Sequence, residues 1–198
     1  MTYEYEKQAL AEGFKCVCGI DEAGRGPLAG PVCAACVIMP TNAQPIAGVA
    51  DSKKLSPAKR ELLYSQIIQQ AIDYSVCFED EKTIDQINIL QATKKAMHQC
   101  LCNLKISPDL VLVDAVNLDS APFKTKSFVK GDDKSYAIAC ASILAKVSRD
   151  RLMNEYDKIY PQYGFAKHKG YGTAAHVAAL VANGPCPLHR KSFIKNFV

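Results

Sequence analysis

Hydrophobic and polar positions in this 198-residue chain follow two periods, and each change of period marks an element. Residues 1–12 carry an amphipathic helical repeat, which predicts a short peripheral helix. Phe14 to Ile20 alternates weakly and is rich in strand formers, so a strand is expected to end at Asp21. After a turn over Gly24–Pro31 comes a near-continuous apolar run, Val32–Met39. It reads as a second strand, antiparallel to the first. Pro40 to Ala50 has loop composition. Ser56 as N-cap and Pro57 at the first position open a helix to about Ala71, with Leu62, Leu63 and Ile67 on one face. Tyr74–Glu79 reads as a third strand. From Ile84 to about Leu104 a helical period runs through Ile87, Leu90, Lys94, Met97 and Leu101, and it stops before Pro108.

Leu110–Asp114 is the cleanest buried strand, apolar on both faces and ending in an acid. A short strand is expected over 122–129, ending in Lys130-Gly131-Asp132-Asp133. A helix from Ser135 to Tyr156 follows, small and apolar in its first half. Thr173 caps a further helix through Val181 in what reads as a small helical lobe. The order β-β-α-β-α-β-β-α predicts an α/β fold, a mixed sheet with helices on its faces and a parallel component. No repeat or linker divides it, so 1–157 is expected to be a core and 158–198 a lobe packed on it.

Composition changes the picture in three places. The longest apolar stretches, Val32–Met39 and Ala137–Ala145, are too short to span a membrane, and the charged start shows no signal peptide; a cytoplasmic protein is expected. The net charge is +4, but no acid follows Asp157, while six lysines and arginines give that tail +6 and leave −2 on the first 157 residues. A local basic surface suits a polyanion; a solvated tail is the ordinary alternative. Nine cysteines include Cys16-x-Cys18 and Cys33-x-x-Cys36, superficially a zinc pattern. Their strand parities point the sulfurs apart, and buried packing is the stronger reading.

The chemistry gathers at Gly19-Ile20-Asp21-Glu22-Ala23-Gly24-Arg25-Gly26-Pro27. Ligands in open α/β sheets collect at the carboxyl ends of strands, and Asp21 and Asp114 both end apolar strands. If those strands are parallel neighbours, about 4.8 Å apart, the two carboxylates meet. Glu22 adds a third acid, and Asp132 is the candidate fourth. Acids converging without matched arginines and without a neighbouring histidine call for a hard divalent cation, Mg2+ or Mn2+ rather than zinc. Such a cluster suits two ions roughly 3.5–4 Å apart in phosphodiester hydrolysis. Gly24-x-Gly26-x-x-Ala29 mimics a dinucleotide-binding fingerprint. Pro27, Gly30 and Pro31 break the helix that fingerprint needs, and the acids repel a pyrophosphate, so that reading fails. The loop better suits close backbone approach to a nucleic-acid strand, where it can meet a ribose 2′-OH. Arg25 holds either a phosphate or one of the neighbouring acids. Ser142, Lys146 and Arg149 fall on one helix face and fit phosphate contacts, with a snorkelling lysine as the alternative.

Residues 21–31 resemble the signature of the bacterial ribonucleases HII, the type 2 ribonucleases H. The resemblance continues through Asp51–Ser56, Asn88–Thr93, Val111–Asp114 and Val129–Asp132. It then runs through Ala141–Val147, Arg149–Arg151, His168–Thr173 and His189–Phe193, in order and over nearly the whole chain. It implies a ribonuclease H-like core with a helical C-terminal lobe, hydrolysis of the RNA strand of RNA–DNA hybrids, and cutting 5′ to single ribonucleotides in duplex DNA. The implied products are 3′-OH and 5′-phosphate ends, and the implied role is ribonucleotide excision repair. It implies Asp21, Glu22, Asp114 and Asp132 as metal ligands, and Gly24, Arg25 and Gly26 with Tyr171 as sensors of the ribonucleotide. Lys53, Ser142 and Lys146 are the implied phosphate contacts. Arg25-Gly26-Pro27 separates the chain from the type 3 enzymes. Ala115 stands where many relatives have glycine, and the doubled Asp132-Asp133 leaves the fourth ligand open between the two. A monomer is expected, and Phe193 is expected to pack on the lobe; Ser192–Phe197 is too weak to support a sliding-clamp contact. An inactive hybrid-binding module of the same fold is the competing reading, and the complete acid set separates the two.

Overall fold

The computed structural model describes residues 2–114, 116–118, 123–128 and 131–198. Ala115, Val129 and Lys130 of the sequence motifs, and Pro122 at the start of the expected strand, lie outside them. Five strands, β1 (Val17–Ala23), β2 (Val32–Ile38), β3 (Asp73–Glu79), β4 (Leu110–Asp114) and β5 (Lys124–Phe128), form one sheet in the order β3-β2-β1-β4-β5. The hairpin β1–β2 and the pair β2–β3 are antiparallel, whereas β1–β4 and β4–β5 are parallel. β1 does not stop at Asp21. Its pairing with β2 continues through Glu22↔Ala34 and Ala23↔Cys33, because the partner strand still offers backbone groups where the apolar run has ended.

Helices cover both faces: α1 (Glu4–Ala11), α2 (Pro57–Gln70), α3 (Glu81–Cys102) and α4 (Tyr136–Ile159), then the shorter α5 (Phe165–His168), α6 (Ala174–Asn183) and α7 (Lys191–Ile194). The side-chain alternation of β1 and β2 sorts the core into two layers. Cys33, Ala35 and Val37 pack with α2 and α4, while Cys18, Ile20, Ala34 and Cys36 pack with α3. The sulfurs of Cys33 and Cys36 therefore occupy opposite faces of the sheet. α4 presses on β1 at Gly19, where a Cβ would lie 2.2 Å from the carbonyl carbon of Ala137. Only glycine permits that approach. Among the described residues no helix is long and apolar enough to cross a membrane.

Two amphipathic expectations need correction. In α2, Leu63 and Ile67 are buried but Leu62 is exposed. α3 begins earlier than its apolar period, capped by Asp80, which accepts from the Thr83 N–H at 2.7 Å. It is also broken at Asn88 (φ 67°, ψ 164°), whose Oδ1 accepts from the Gln91 N–H and restarts the helix. The break resets the phase. Ile87 and Leu90 face outward, and the buried stripe becomes Ala92, Thr93, Ala96, Met97, Cys100 and Leu101.

Beyond α4, a chain of imidazoles fixes the segment around Tyr171. His189 Nδ1 accepts from the Cys186 N–H, so its proton sits on Nε2 and is donated to His176 Nε2 at 3.1 Å. His176 then carries its proton on Nδ1 and donates it to the Tyr171 carbonyl at 2.9 Å. His168 stacks on His176 with centroids 4.4 Å apart. The relay works only with neutral rings. Burial pushes the pKa of His176 down and that of His189 down from 6.5 to about 4.

Between those two values the unfolded chain binds more protons at position 189 than the folded one, so this contribution is complete above pH 6.5 and is lost as pH falls toward 4. His189→Gln, which keeps a donor and an acceptor, should remove that slope. Denaturant melts at stepped pH for both proteins give the comparison, and parallel profiles would show that His189 does not titrate with folding.

Candidate active site

Parallel pairing of β1 with β4 is the step that creates the site. The register runs from Val17↔Leu110 to Ile20↔Val113, and one step further brings Asp21 beside Asp114. A 3-10 turn, Gly131–Asp133, carries Asp132 to the same place, and the Gly131 N–H donates to Asp114 Oδ1 at 2.7 Å. One carboxylate oxygen from each of Asp21, Asp114 and Asp132 lies within 4.8 Å of the others. The Glu22 N–H donates to Asp21 Oδ1 at 2.7 Å, and Glu22 Oε2 is buried without a hydrogen-bond partner. Of the doubled acids, Asp132 joins this group, whereas Asp133 pairs with Lys54 outside it.

Electrostatics mark the cluster as incomplete. Burial pushes the pKa of Asp21 well above the usual carboxylate range, and the charges of Glu22 and Asp114 add to it. Glu22 is raised by burial, against the opposing pull of Arg25. Asp132 is raised to about 6 by burial and then by the charges of Asp114 and Asp51. Lys53 partly compensates Asp132, its Nζ 3.8 Å from Asp132 Oδ2. Buried carboxylates that repel one another, an all-oxygen donor set and an orphaned Glu22 oxygen fit divalent cations.

A cleft of about 510 Å³ opens beside the acids, and Glu22, Gly24, Arg25, Gly26, Lys53 and Tyr171 line it. Gly24 needs its positive φ of 93°, and a Cβ there would meet Arg149 Nε at 2.0 Å. Gly26 has room, with the Tyr171 ring 3.9 Å from where its Cβ would be. Tyr171 is 44% exposed. Arg25 takes the second of its two readings in this state, with Nη1 3.3 Å from Glu22 Oε1. Ser142 and Lys146 also line the cleft, but both are engaged. The Ser142 hydroxyl lies 2.9 Å from Ser52 Oγ and favours the Asp21 carboxylate against its burial, and Lys146 Nζ donates to Asp150 at 2.7 Å. Arg149 leaves the polar stripe entirely. It is 1% exposed and donates to the carbonyls of Ala29, Pro31 and Lys169.

Asp51 belongs to the site although its pattern gave it no role. It is buried, accepts from the Lys53 N–H at 2.9 Å and shifts Asp132. Its signal was an acid heading Ser52-Lys53-Lys54, which it caps as a 3-10 turn, and sequence alone does not separate such a cap from an ordinary one.

Among solved structures, the ribonuclease H2 of Pyrococcus horikoshii OT3 covers 90% of this chain and 93% of its own with a TM-score of 0.77 at 28% identity. The ribonuclease HII of Archaeoglobus fulgidus, solved as a complex with PCNA, gives a TM-score of 0.73 at 26% identity, over 89% and 94% of the two chains. Fold and acid cluster together define the ribonuclease H class of hybrid-cutting endoribonucleases, which use divalent cations. The ribonuclease HII family model matches residues 18–196, and the ribonuclease HII of Ruminiclostridium cellulolyticum is 56% identical over 194 residues, 98% of this chain and 76% of that one. The chain belongs to the ribonuclease HII family and is a type 2 ribonuclease H.

Relieving the repulsion should stabilise the metal-free protein. Asp132→Asn is expected to raise the thermal midpoint in chelator by roughly 2–4 °C and to abolish most of the further rise that Mg2+ or Mn2+ gives the wild type. Scanning fluorimetry reads both. A midpoint that falls in chelator would show that Asp132 is held by favourable partners instead.

Proposed function

We propose that this enzyme hydrolyses the RNA strand of RNA–DNA hybrids and cuts 5′ to single ribonucleotides embedded in duplex DNA, leaving 3′-OH and 5′-phosphate ends in ribonucleotide excision repair. The observation that carries the reading is the convergence of three carboxylates beside a cleft whose rim is a glycine loop facing a half-exposed tyrosine. Asp21, Glu22, Asp114 and Asp132 are the residues we assign to hold two divalent cations, Mg2+ or Mn2+. When bound, the ions supply an activated water and charge stabilisation at the leaving oxygen. The protein's own part is to fix those acids. The Glu22 N–H holds Asp21 and the Ser142 hydroxyl favours its charged form, the Gly131 N–H holds Asp114, and Asp51 with Lys53 flanks Asp132.

Recognition falls to the rim. The backbone of Gly24, Arg25 and Gly26 lies within approach of a ribose, and a 2′-OH both donates and accepts there. Tyr171 opposite Gly26 offers a ring against which the sugar and its neighbour pack. The Lys53 side chain, 80% exposed, is free to swing from Asp132 to a phosphate, and Lys146 exchanges Asp150 for one. Ser142 lines the cleft with its hydroxyl already committed, so its contribution passes through Asp21. We assign 1–157 as the catalytic core and 158–198 as a basic lobe on it, acting in the cytoplasm as a monomer. Phe193 packs against Leu28, Leu180 and Ile194, which favours a structural role for the C-terminal segment.

An inactive binding module of this fold is the rival. Asp114→Asn should leave duplex binding within about twofold and reduce cleavage by at least 10³-fold, since a ligand to the reacting centre is lost while the cleft is intact. Undiminished cleavage with magnesium would overturn the acid assignment. Tyr171→Ala should lose incision at a single embedded ribonucleotide by an order of magnitude more than it loses cutting of long hybrids. Equal losses on the two substrates would reduce the ring to packing.

A further inference from the structure

Arg190 is an expensive residue with no stated purpose. Its side chain is completely buried, and among the described residues no carboxylate lies within ion-pairing distance of it. Burial, followed by the charge of Arg149, pulls its pKa down to about 9. A cation in that position costs stability that a methionine or leucine of similar volume would not. Packing alone therefore does not explain it. Its donors do something specific. Nε and Nη2 donate to the Gly30 carbonyl at 2.9 and 2.7 Å, Nη1 to the Arg25 carbonyl at 2.9 Å, and Nη2 to the Gly24 carbonyl at 2.6 Å. The Phe193 ring lies 5.1 Å from the guanidinium carbon. All of its acceptors belong to the glycine loop.

That pattern decides which way the loop's peptide groups point. The described residues contain no cis peptide bond, and in a trans peptide the C=O of one residue and the N–H of the next point in opposite directions. The carbonyls of Gly24 and Arg25 are drawn back onto Arg190, behind the loop. The N–H groups of Arg25 and Gly26 must then face away from Arg190, on the side where both residues line the cleft. Neither N–H is donated to another group among the described residues. Two adjacent donors are thus offered to the substrate, and they suit an acceptor such as a ribose O2′ or a phosphate oxygen.

We propose that Arg190 is the positioning residue of the ribonucleotide reader: by holding the Gly24 and Arg25 carbonyls it presents the Arg25 and Gly26 N–H groups to the ribose. This rests on the recognition reading given under Proposed function. The same residue's backbone ties the loop to the lobe, because the Arg190 N–H donates to the Leu28 carbonyl and the Gly30 N–H to the Leu188 carbonyl. A lysine keeps the charge but cannot span three carbonyls from one point, whereas the planar fork does.

The test compares wild type with Arg190→Lys on two duplexes that differ only in one ribonucleotide, with affinity measured in chelator so that nothing is cut. Arg190→Lys should lose about tenfold on the ribonucleotide duplex, the worth of one to two misplaced hydrogen bonds, with the all-DNA affinity unchanged. Equal loss on both duplexes, or none, overturns the proposal. A wild type without any preference refutes the recognition reading instead, and amide exchange then judges Arg190 by itself. The Arg25 and Gly26 amides should exchange freely in the free wild-type protein and become protected with the ribonucleotide duplex. Amides already protected in the free protein would show that they do not face the cleft, and this holds even if Arg190→Lys fails to fold.

Discussion

The contact between α4 and β1 at Gly19 is the constraint on which the rest of the structure depends. With no side chain at that position, the helix comes down until the Ala137 backbone nearly touches the strand. Every later residue of α4 is placed by that approach. Ser142 arrives at Asp21 one and a half turns on, and Arg149 arrives two turns later behind the glycine loop. A side chain at 19 would lift the helix, and the supports of the acid and of the loop would move together.

On this platform the sheet performs an unfavourable act. Strand register sets two carboxylates side by side, and a 3-10 turn delivers a third. Their mutual repulsion is tolerated because other elements were already paid for by apolar burial on both faces of the sheet. The strain is visible in the raised pKa values of Asp21 and Asp132 and in the unpartnered Glu22 oxygen. A cation removes it.

The groups proposed for recognition and for cutting are held by different means. The acids rest on strand ends, which the ladder makes rigid. The glycine loop has an isolated antiparallel bridge, Ala29 opposite His189, and buried guanidiniums add to it: Arg149 takes the carbonyls of Ala29 and Pro31, and Arg190 those of Gly24, Arg25 and Gly30. Tyr171 is held through neutral histidines that reach back to residue 189, next to Arg190. Both sides of the rim are thus anchored in one short stretch of the lobe.

Much of this was legible from residue pattern. Apolar periodicity located the strands and main helices, Ser56 and Thr173 announced their caps, and the abrupt acids after Ile20 and Val113 marked strand ends worth joining. Those signals are local, because they follow from backbone period and from the cost of burying charge. The break at Asn88 was not legible, since an asparagine in a helical run looks ordinary until its φ is known, and Ile87 and Leu90 were accordingly assigned to the wrong face. Arg149 read as part of a phosphate-contacting helix face and Arg190 as one charge of a basic tail; only the folded chain brings carbonyls from a loop over a hundred positions away to meet them. The sequence by itself determined which acids exist and which apolar strand segments they follow. Tertiary structure decided that Asp132 rather than Asp133 joins the other two, that Asp51 stands beside them, and which way the loop's peptides face. Those outcomes depend on distances between residues far apart in the chain, and no local pattern encodes a distance.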